Sequence, residues 1–459
     1  MSNPPAVSLR PDPNALGPVT DLYQLTMMAG YAAAGLEHAR ATFEVFVRRL
    51  PSRRAYLVFA GLEQAVADLT RLAFSKAQVE AIRNLPNFAG VAPSFFDTLA
   101  DLRFRGDLWA VPEGSVVFAG EPIVRVVAPL PQAQWVETYL LASLGYPTLV
   151  ASKAARVVSA AAGRPVFDFG TRRAHGPQAG LLAARAAILA GCSGTSNVEA
   201  ALRLNAACVG TMAHSWVQAF GDEAAAFRAF AAAFGPATTL LVDTYDLDEG
   251  VAHAAEVEPP VAAIRIDSGD LDAGSRRARS ILDAHDRRAT KILASSDLDE
   301  HTIDRLVQDG APIDAFGVGT EMVTSRDAPA LSMVYKLVEL DGVGRVKLSP
   351  GKRTYSLAKQ VFRTRDADGR FNGDHVVRAD EVADGEPLLG QVVRDGEILE
   401  PWPTLDAIRS RCAAQIESLP ARLRQLDVGS DYPVTYSDAL EAEADRLGLR
   451  PDWPNRAAP

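Results

Sequence analysis

The 459-residue chain has three cysteines, no long apolar run and no excess of positive charge, and each shortage closes off a class of protein. Cys192, Cys208 and Cys412 are too few and too scattered for a disulfide framework or a paired-cysteine metal site, so a reducing cytosol is the expected compartment. No stretch approaches the ~18 uninterrupted apolar residues of a membrane span. A net charge of −10, from 57 acidic and 47 basic side chains, argues against nucleic acid or an anionic membrane as the main partner, since both call for a basic face. It leaves room for an anionic small substrate held by a local arginine cluster. Neither an HExxH nor a Walker A sequence occurs, and no nucleophile–base pair stands out. The opening MSNPPAVSLRPDPNALGP has prolines and no apolar core, and reads as a loose tail instead of a signal peptide.

What is present is the balance of a packed globular protein, 48% hydrophobic and 23% charged, long enough for a barrel with an additional domain. After a tail over 1–17, a mixed α/β domain is expected over 18–150. Thr20 stands where it can cap a helix running to about Ala34, ATFEVFVRRL reads as a strand, and GLEQAVADL and SKAQVEAIRNL read as helices. From Phe104 to Pro129 short β runs are broken by Gly and Pro.

A regular alternation then begins, and a barrel domain is expected over 151–340. Short apolar runs at 165–169, 207–211, 239–243, 263–267, 291–295 and 315–319 are separated by helical patterns, and SMVYKLVEL at 332–340 fits as a seventh. The clearest helix is GDEAAAFRAFAAAFG, with Phe227, Phe230 and Phe234 on one face and Asp222 placed to cap. Buried-type strands alternating with helices imply parallel βα units, in a barrel or an open sheet. The segment 341–459 is turn-rich, with strands at KQVFR and EPLLGQVVRDGE and helices at TLDAIRSRCAAQIESL and SDALEAEADRLGL. It is too rich in strands and loops to extend the barrel, and is expected to pack as a separate layer.

The chemistry lies where each strand closes. The runs end in Asp168-Phe-Gly-Thr-Arg172, Thr211-Met-Ala-His214, Asp243-Thr-Tyr-Asp246, Arg265-Ile-Asp267-Ser-Gly269, Ser295-Ser-Asp297 and Gly317-Val-Gly319-Thr320. In parallel α/β folds the C-terminal strand ends share one face, where ligands bind. Arginines, a histidine, aspartates and a glycine turn should therefore converge. Single members have ordinary explanations: Asp297 with Glu300, and Ser196 with Glu199, have the spacing of a helix capping box, and a lone His214 can be a packed histidine. Arg265 inside an apolar strand needs a partner or an anionic ligand, and Asp267 lies two residues on, on the same face. Glycine-freed N–H groups in Gly317-Val-Gly319-Thr320 suit a phosphate. The set offers donors for phosphate, carboxylates for sugar hydroxyls and one histidine, which suits transfer of a phosphorylated sugar.

At these residues the sequence resembles nicotinate phosphoribosyltransferases, over about residues 18 to 440. The resemblance is carried by TDLYQLTM (20–27), FEVFVRRLP (43–51), VFAGLE (58–63), FDFGTRRAHGPQAG (167–180), GTSNVEAA (194–201), GTMAHSW (210–216), LLVDTYD (240–246), IRIDSGDL (264–271), FGVGTEMVTS (316–325) and YPVTYSDAL. It implies an irregular, incomplete parallel α/β barrel with a second mixed α/β domain built from both ends of the chain. It also implies a homodimer with shared sites and a reaction joining nicotinate to phosphoribosyl pyrophosphate, with Mg²⁺ and coupled to ATP hydrolysis. His214 would be transiently phosphorylated, with Asp243 fixing its tautomer. Phe169 and Tyr23, the latter from the partner subunit, would stack on the pyridine ring. Arg172 and Arg265 would hold carboxylate and phosphate oxygens, with Arg173 an alternative to Arg172. Asp267 and Asp297 would contact ribose hydroxyls, and Gly317, Gly319 and Thr320 would cradle the 5′-phosphate. Arg48 and Arg49 would reach the pyrophosphate or ATP, or simply end a solvated strand. The related nicotinamide-using enzymes carry an aspartate where this chain has Ser196, so the acid is favoured over the amide. The sequence departs from the family in TYSLAKQVFR, where Ser356-Leu357 replaces a common Pro-Gly. The alternatives are nicotinamide phosphoribosyltransferase, a barrel lyase or isomerase acting on a sugar phosphate, and an inactive homologue that only binds.

Overall fold

The computed structural model describes residues 9–347, 349, 354–399 and 401–448. The chain divides into two compact units, one of residues 147–329 with 404–414, the other of 1–146, 330–403 and 415–459. The division falls at Pro147, inside the helix Glu137–Ala160. Among the described residues, no helix is long and apolar enough to cross a membrane.

The first of these is the α/β unit, and its six strands are β1 (Val166–Asp168), β2 (Gly194–Thr195), β3 (Thr239–Leu241), β4 (Ala263–Ile266), β5 (Lys291–Ser295) and β6 (Ala315–Val318). Every pairing is parallel, in the order β2-β1-β6-β5-β4-β3. Because β6 pairs with β1, the order runs around a circle, and it is left open between β2 and β3. The gap is where the expected strand at 207–211 fails to form. Only Cys208 bridges, to Thr195, while the true edge strand is the two-residue Gly194–Thr195. The sheet is thus a curled, incomplete parallel barrel. Its central strands are short apolar runs buried on both faces, as parallel strands covered by helices must be.

The connecting helices start where the sequence supplies a side-chain acceptor. Asp222 caps α4 (Glu223–Phe234), Asp246 caps α5 (Leu247–Ala255), Asp270 caps α6 (Leu271–Ala284) and Asp299 caps α7 (Glu300–Gln308); before them come α1 (Pro177–Leu189), α2 (Val198–Leu204) and α3 (His214–Gln218). Each carboxylate takes up N–H groups that the first helical turn leaves unpaired. On α4, Phe227 is fully buried, whereas Phe234 is 65% exposed. A last short helix, α8 (Thr320–Val323), comes after β6.

The second unit contains a seven-stranded antiparallel sheet. Its order is 343–344, Met333–Leu340, Arg40–Val47, Pro122–Pro129, Asp107–Ala110, Gly390–Arg394 and 397–398. The run at 332–340 therefore belongs to this sheet and does not extend the barrel. Over its first half the burial alternates as in a strand with one wet face, Met333 and Tyr335 buried while Val334 and Lys336 are half-buried, and the bulge opposite Thr42 and Phe43 then shifts the phase so that Val338 is buried. A smaller sheet holds Lys359–Arg365 against Phe371–Arg378, and the helix Asp438–Arg446 lies near the end of the described chain. The helix Leu22–Ala33 has Asp21 at its N-cap, so Thr20 does not cap it. Residues 1–8 lie outside the described residues. The expected loose tail ends before residue 17, because Leu16 is buried and Gly17 is tied on both sides: its amide donates to Ala73 O (2.7 Å), and its carbonyl accepts from Trp135 Nε1 (3.0 Å). Leu348 and residues 350–353 of the polar loop also lie outside the described residues. Leu357 holds a left-handed φ of +68°, a backbone conformation that favours glycine.

Candidate active site

Parallel register aligns the strand ends of the α/β unit. Ser295 sits beside Gly317, Val318 beside Asp168, and Asp168 beside Thr195. Around this row the structure gathers His214, Asp243, Arg265 and Asp267, as the sequence implied, together with hydroxyls to which the sequence assigns no role.

Arg265 is the hub. Its side chain is buried on β4, and each of its nitrogens has a fixed acceptor: Nε to Ser295 Oγ (2.7 Å), Nη1 to Thr211 Oγ1 (2.9 Å) and Nη2 to Asp267 Oδ1 (2.7 Å). A guanidinium carries five N–H donors, so two remain, one on each terminal nitrogen. Its carbon lies 5.5 Å from the centroid of the Phe169 ring. Asp267 Oδ1 also accepts from Ser295 Oγ, while Oδ2 faces His214 Nε2 at 3.8 Å. Burial works to raise the Asp267 carboxyl, but the Ser295 hydrogen bond, Arg265 and His214 outweigh it and hold the group below its ordinary range. A carboxylate ionised throughout neutral pH thus sits beside a fixed cation.

His214 opens α3, with its side chain 40% exposed. Its Nδ1 pairs with Thr244 Oγ1 at 3.1 Å, not with Asp243. Asp243 takes another position: its Oδ2 accepts from the Asp267 amide (2.8 Å) and the Ser268 hydroxyl (2.6 Å), and its Oδ1 is shut off from water with no hydrogen-bond partner. The expected Asp243–His214 pair is replaced because Asp243, two residues beyond β3, is taken up by the Asp267 amide and the Ser268 hydroxyl just past the neighbouring β4.

At the β1 end, Asp168 is buried and pins the adjoining turn. Its Oδ1 accepts from the Gly170 amide (2.9 Å), and its Oδ2 from Thr195 Oγ1 (2.7 Å). Burial pushes its carboxyl up against those two bonds. Phe169 is 8% exposed, and its ring lies against Gly317 so closely that a Cβ there would meet ring carbons at 2.5 and 2.6 Å. Gly317 is thus required first by an aromatic neighbour. Gly319 precedes α8 with an unusual ψ of −102°, and Thr320 begins the helix. Arg172 and Arg173 both lie exposed in the single turn Thr171–Arg173, and Ser196 is half-buried, its amide donating to Asp168 O (2.8 Å).

Other candidates fall elsewhere. Asp297 is exposed and caps nothing, because Asp299 takes that role, with its side chain accepting from Thr302 N (2.8 Å). Before it, Ser296 holds a φ of +108°, a strained value for a residue with a Cβ. Glu300 is no capping-box partner either: it is buried against Lys153 Nζ (2.6 Å) and Arg156 Nε (2.9 Å). Ser196 is likewise not a cap, since Asn197 caps α2. Tyr23 lies in the other unit on the helix Leu22–Ala33, 47% exposed. Thr211, Thr244, Ser268 and Ser295 lie in the strand-end segments expected on this face, although the sequence assigns them no role there. Their signal is a hydroxyl in the segment just closing each strand, but single serines and threonines there are also ordinary turn residues. Among the described residues, no group of three or more His, Cys, Asp or Glu could hold a metal ion.

Comparison with known proteins covers nearly the whole chain. Three family descriptions match in sequence: the nicotinate phosphoribosyltransferase N-terminal domain over residues 19–145, the nicotinate phosphoribosyltransferase family over 165–380, and the C-terminal domain over 383–442. The chain is 47% identical to nicotinate phosphoribosyltransferase pncB2 of Mycobacterium tuberculosis over 436 residues, 93% of each protein. It is 41% identical to the nicotinate phosphoribosyltransferase of Bacillus subtilis, covering 81% of this chain and 78% of that one. The crystal structure of human nicotinic acid phosphoribosyltransferase superposes with a TM-score of 0.84 at 29% identity, covering 93% of this chain and 99% of the human one.

Proposed function

The chain belongs to the nicotinate phosphoribosyltransferase family, and we propose that its barrel face transfers the phosphoribosyl group of phosphoribosyl pyrophosphate to nicotinate in NAD biosynthesis. The observation that carries this reading is the closed Arg265–Asp267–Ser295 network with His214 beside it.

The pyridine nitrogen of nicotinate attacks the anomeric carbon, the bond from that carbon to the pyrophosphate oxygen breaks, and nicotinate mononucleotide and pyrophosphate leave. Positive charge grows at the anomeric carbon, where the Asp267 carboxylate stabilises it. The two free donors of Arg265 take phosphate or pyrophosphate oxygens. Phe169 stacks on one face of the pyridine, with Tyr23 of a second copy of the chain on the other side. Asp297 meets ribose hydroxyls, Arg172 the nicotinate carboxylate, and Gly317, Gly319 and Thr320 the 5′-phosphate. Mg²⁺ enters as the complex of phosphoribosyl pyrophosphate and ATP, whose phosphate oxygens serve as its ligands.

ATP coupling runs through His214: an imidazole nitrogen takes the terminal phosphoryl group, ADP departs, and water later releases phosphate. The added charge orders the surrounding loops on the sugar-phosphate. Asp243 supports this region through the Asp267 amide. For the pyridine, Ser196 places no second carboxylate beside the ring, which favours the acid over the amide. A homodimer working in the cytoplasm completes the reading.

The test is direct. The purified chain is incubated with nicotinate, phosphoribosyl pyrophosphate and Mg²⁺, with and without ATP, and nicotinate mononucleotide is measured over time. Product in both cases and more with ATP is expected, whereas no product in either sinks the proposal. Competition between nicotinate and nicotinamide decides the acid preference.

A further inference from the structure

We propose that Ser295 is a positioning residue of the transfer reaction, a single hydroxyl that sets the plane of the Arg265 guanidinium and chooses which Asp267 oxygen faces the substrate. The inference rests on the barrel face being a phosphoribosyl-transfer site.

Ser295 is the last residue of β5, 3% exposed, on a strand in register with both β4 and β6. A serine hydroxyl has one proton and two lone pairs. Here the proton goes to Asp267 Oδ1, and a lone pair accepts from Arg265 Nε at 2.7 Å. The same two groups also meet directly, Nη2 to Oδ1 at 2.7 Å. The result is a closed triangle in which every edge is a hydrogen bond.

That closure acts on both charged partners. The Nε bond, with Thr211 holding Nη1, stops rotation of the guanidinium, so the two remaining donors are fixed in direction before any ligand arrives. Oδ1 is saturated by two donors, which leaves Oδ2 as the oxygen toward His214 and the open site. The charged groups around Asp267 are Arg265 on its own strand, His214 from α3, and Asp243, which holds the Asp267 amide from the β3 end. Of the influences that lower the carboxyl, the Ser295 hydrogen bond is the largest. Removing it raises the pKa of Asp267 toward the ordinary range and leaves the buried Nε–H of Arg265 without an acceptor.

The experiment measures kcat/KM for phosphoribosyl pyrophosphate against pH in wild type, Ser295→Ala, Ser295→Thr and Thr211→Val. Ser295→Ala should lose about tenfold in kcat/KM, the worth of a hydrogen bond to a charged group. Its acidic limb should also move to higher pH. Thr211→Val, whose lost hydroxyl bonds Arg265 and the Met212 carbonyl but not Asp267, should lower kcat/KM without moving that limb. Ser295→Thr, which keeps the hydroxyl, should return the limb to its wild-type position. A Ser295→Ala enzyme with an unmoved limb overturns the inference, whether or not its rate falls, because a purely structural serine would not shift a titration. If the alanine variant does not fold, Ser295→Cys, close in volume and weak in hydrogen bonding, takes its place with the same two outcomes. A wild type that makes no product overturns the underlying reading, and this inference with it. An active wild type with an unmoved limb in the variant overturns the inference alone.

Discussion

Gly317→Ala separates two roles for one glycine. A methyl group built there would stand 2.5 and 2.6 Å from Phe169 Cδ2 and Cε2, where carbon atoms rest at roughly 3.5–4.0 Å. The ring must retreat by about 1 Å. Its retreat is limited, since Phe169 is 8% exposed and its amide is bonded to Val318 O at 2.8 Å. Overpacking of this kind costs about 1–3 kcal/mol, and for a unit of this size each kcal/mol lowers Tm by roughly 2–4 °C. The displaced ring also faces Arg265 and, in the proposed reading, nicotinate. KM for nicotinate should therefore rise more than KM for phosphoribosyl pyrophosphate. The opposite order would show that the backbone of Gly317 serves the 5′-phosphate more than its missing side chain serves the ring. The assay combines thermal denaturation with initial rates in which each substrate is varied in turn. Adding Phe169→Leu should relieve the clash, so the double variant should lose less stability than the sum of the two single variants. Unchanged Tm and unchanged KM values in Gly317→Ala would refute the close approach.

Three further outcomes are expected. His214→Ala should abolish ATP stimulation while a reduced basal transfer stays measurable; undiminished stimulation would remove the phosphohistidine. Lys153→Met should destabilise the α/β unit by about 3–5 kcal/mol, since it strips a buried partner from Glu300. Burial raises the Glu300 carboxyl, but Lys153 and Arg156 outweigh it and hold the group down. That contribution is present above the ordinary carboxylate range and is lost as pH falls through the depressed value, so wild type and variant should converge in acid denaturation. Ser296→Gly should stabilise the chain by about 1 kcal/mol by relieving its positive φ, as read from urea unfolding; a loss of stability would count against the strain.

Much of the architecture is written in local patterns. The apolar runs at 165–169, 239–243, 263–267, 291–295 and 315–319 each contain a parallel strand, and Asp222 caps its helix. The runs at 207–211 and 332–340 mislead for one shared reason. An apolar stretch reports that it is buried, but pairing partners decide its sheet, and partners lie far away in sequence. Val334 and Lys336 pair with Phe46 and Glu44, across more than half of the chain.

The candidate site divides the same way. The sequence alone determined that Arg265 and Asp267 share a strand face, because side chains alternate with period two, and it supplied a histidine and a row of acids at neighbouring strand ends. Only the tertiary structure decided which atoms meet. It gave His214 to Thr244, turned Asp243 to the Asp267 amide, set Phe169 on Gly317 and placed Ser295 between Arg265 and Asp267. Those choices depend on register between strands and on a few tenths of an ångström across the barrel mouth. A hydrogen bond is made or lost over such distances, and spacing along one chain does not contain them.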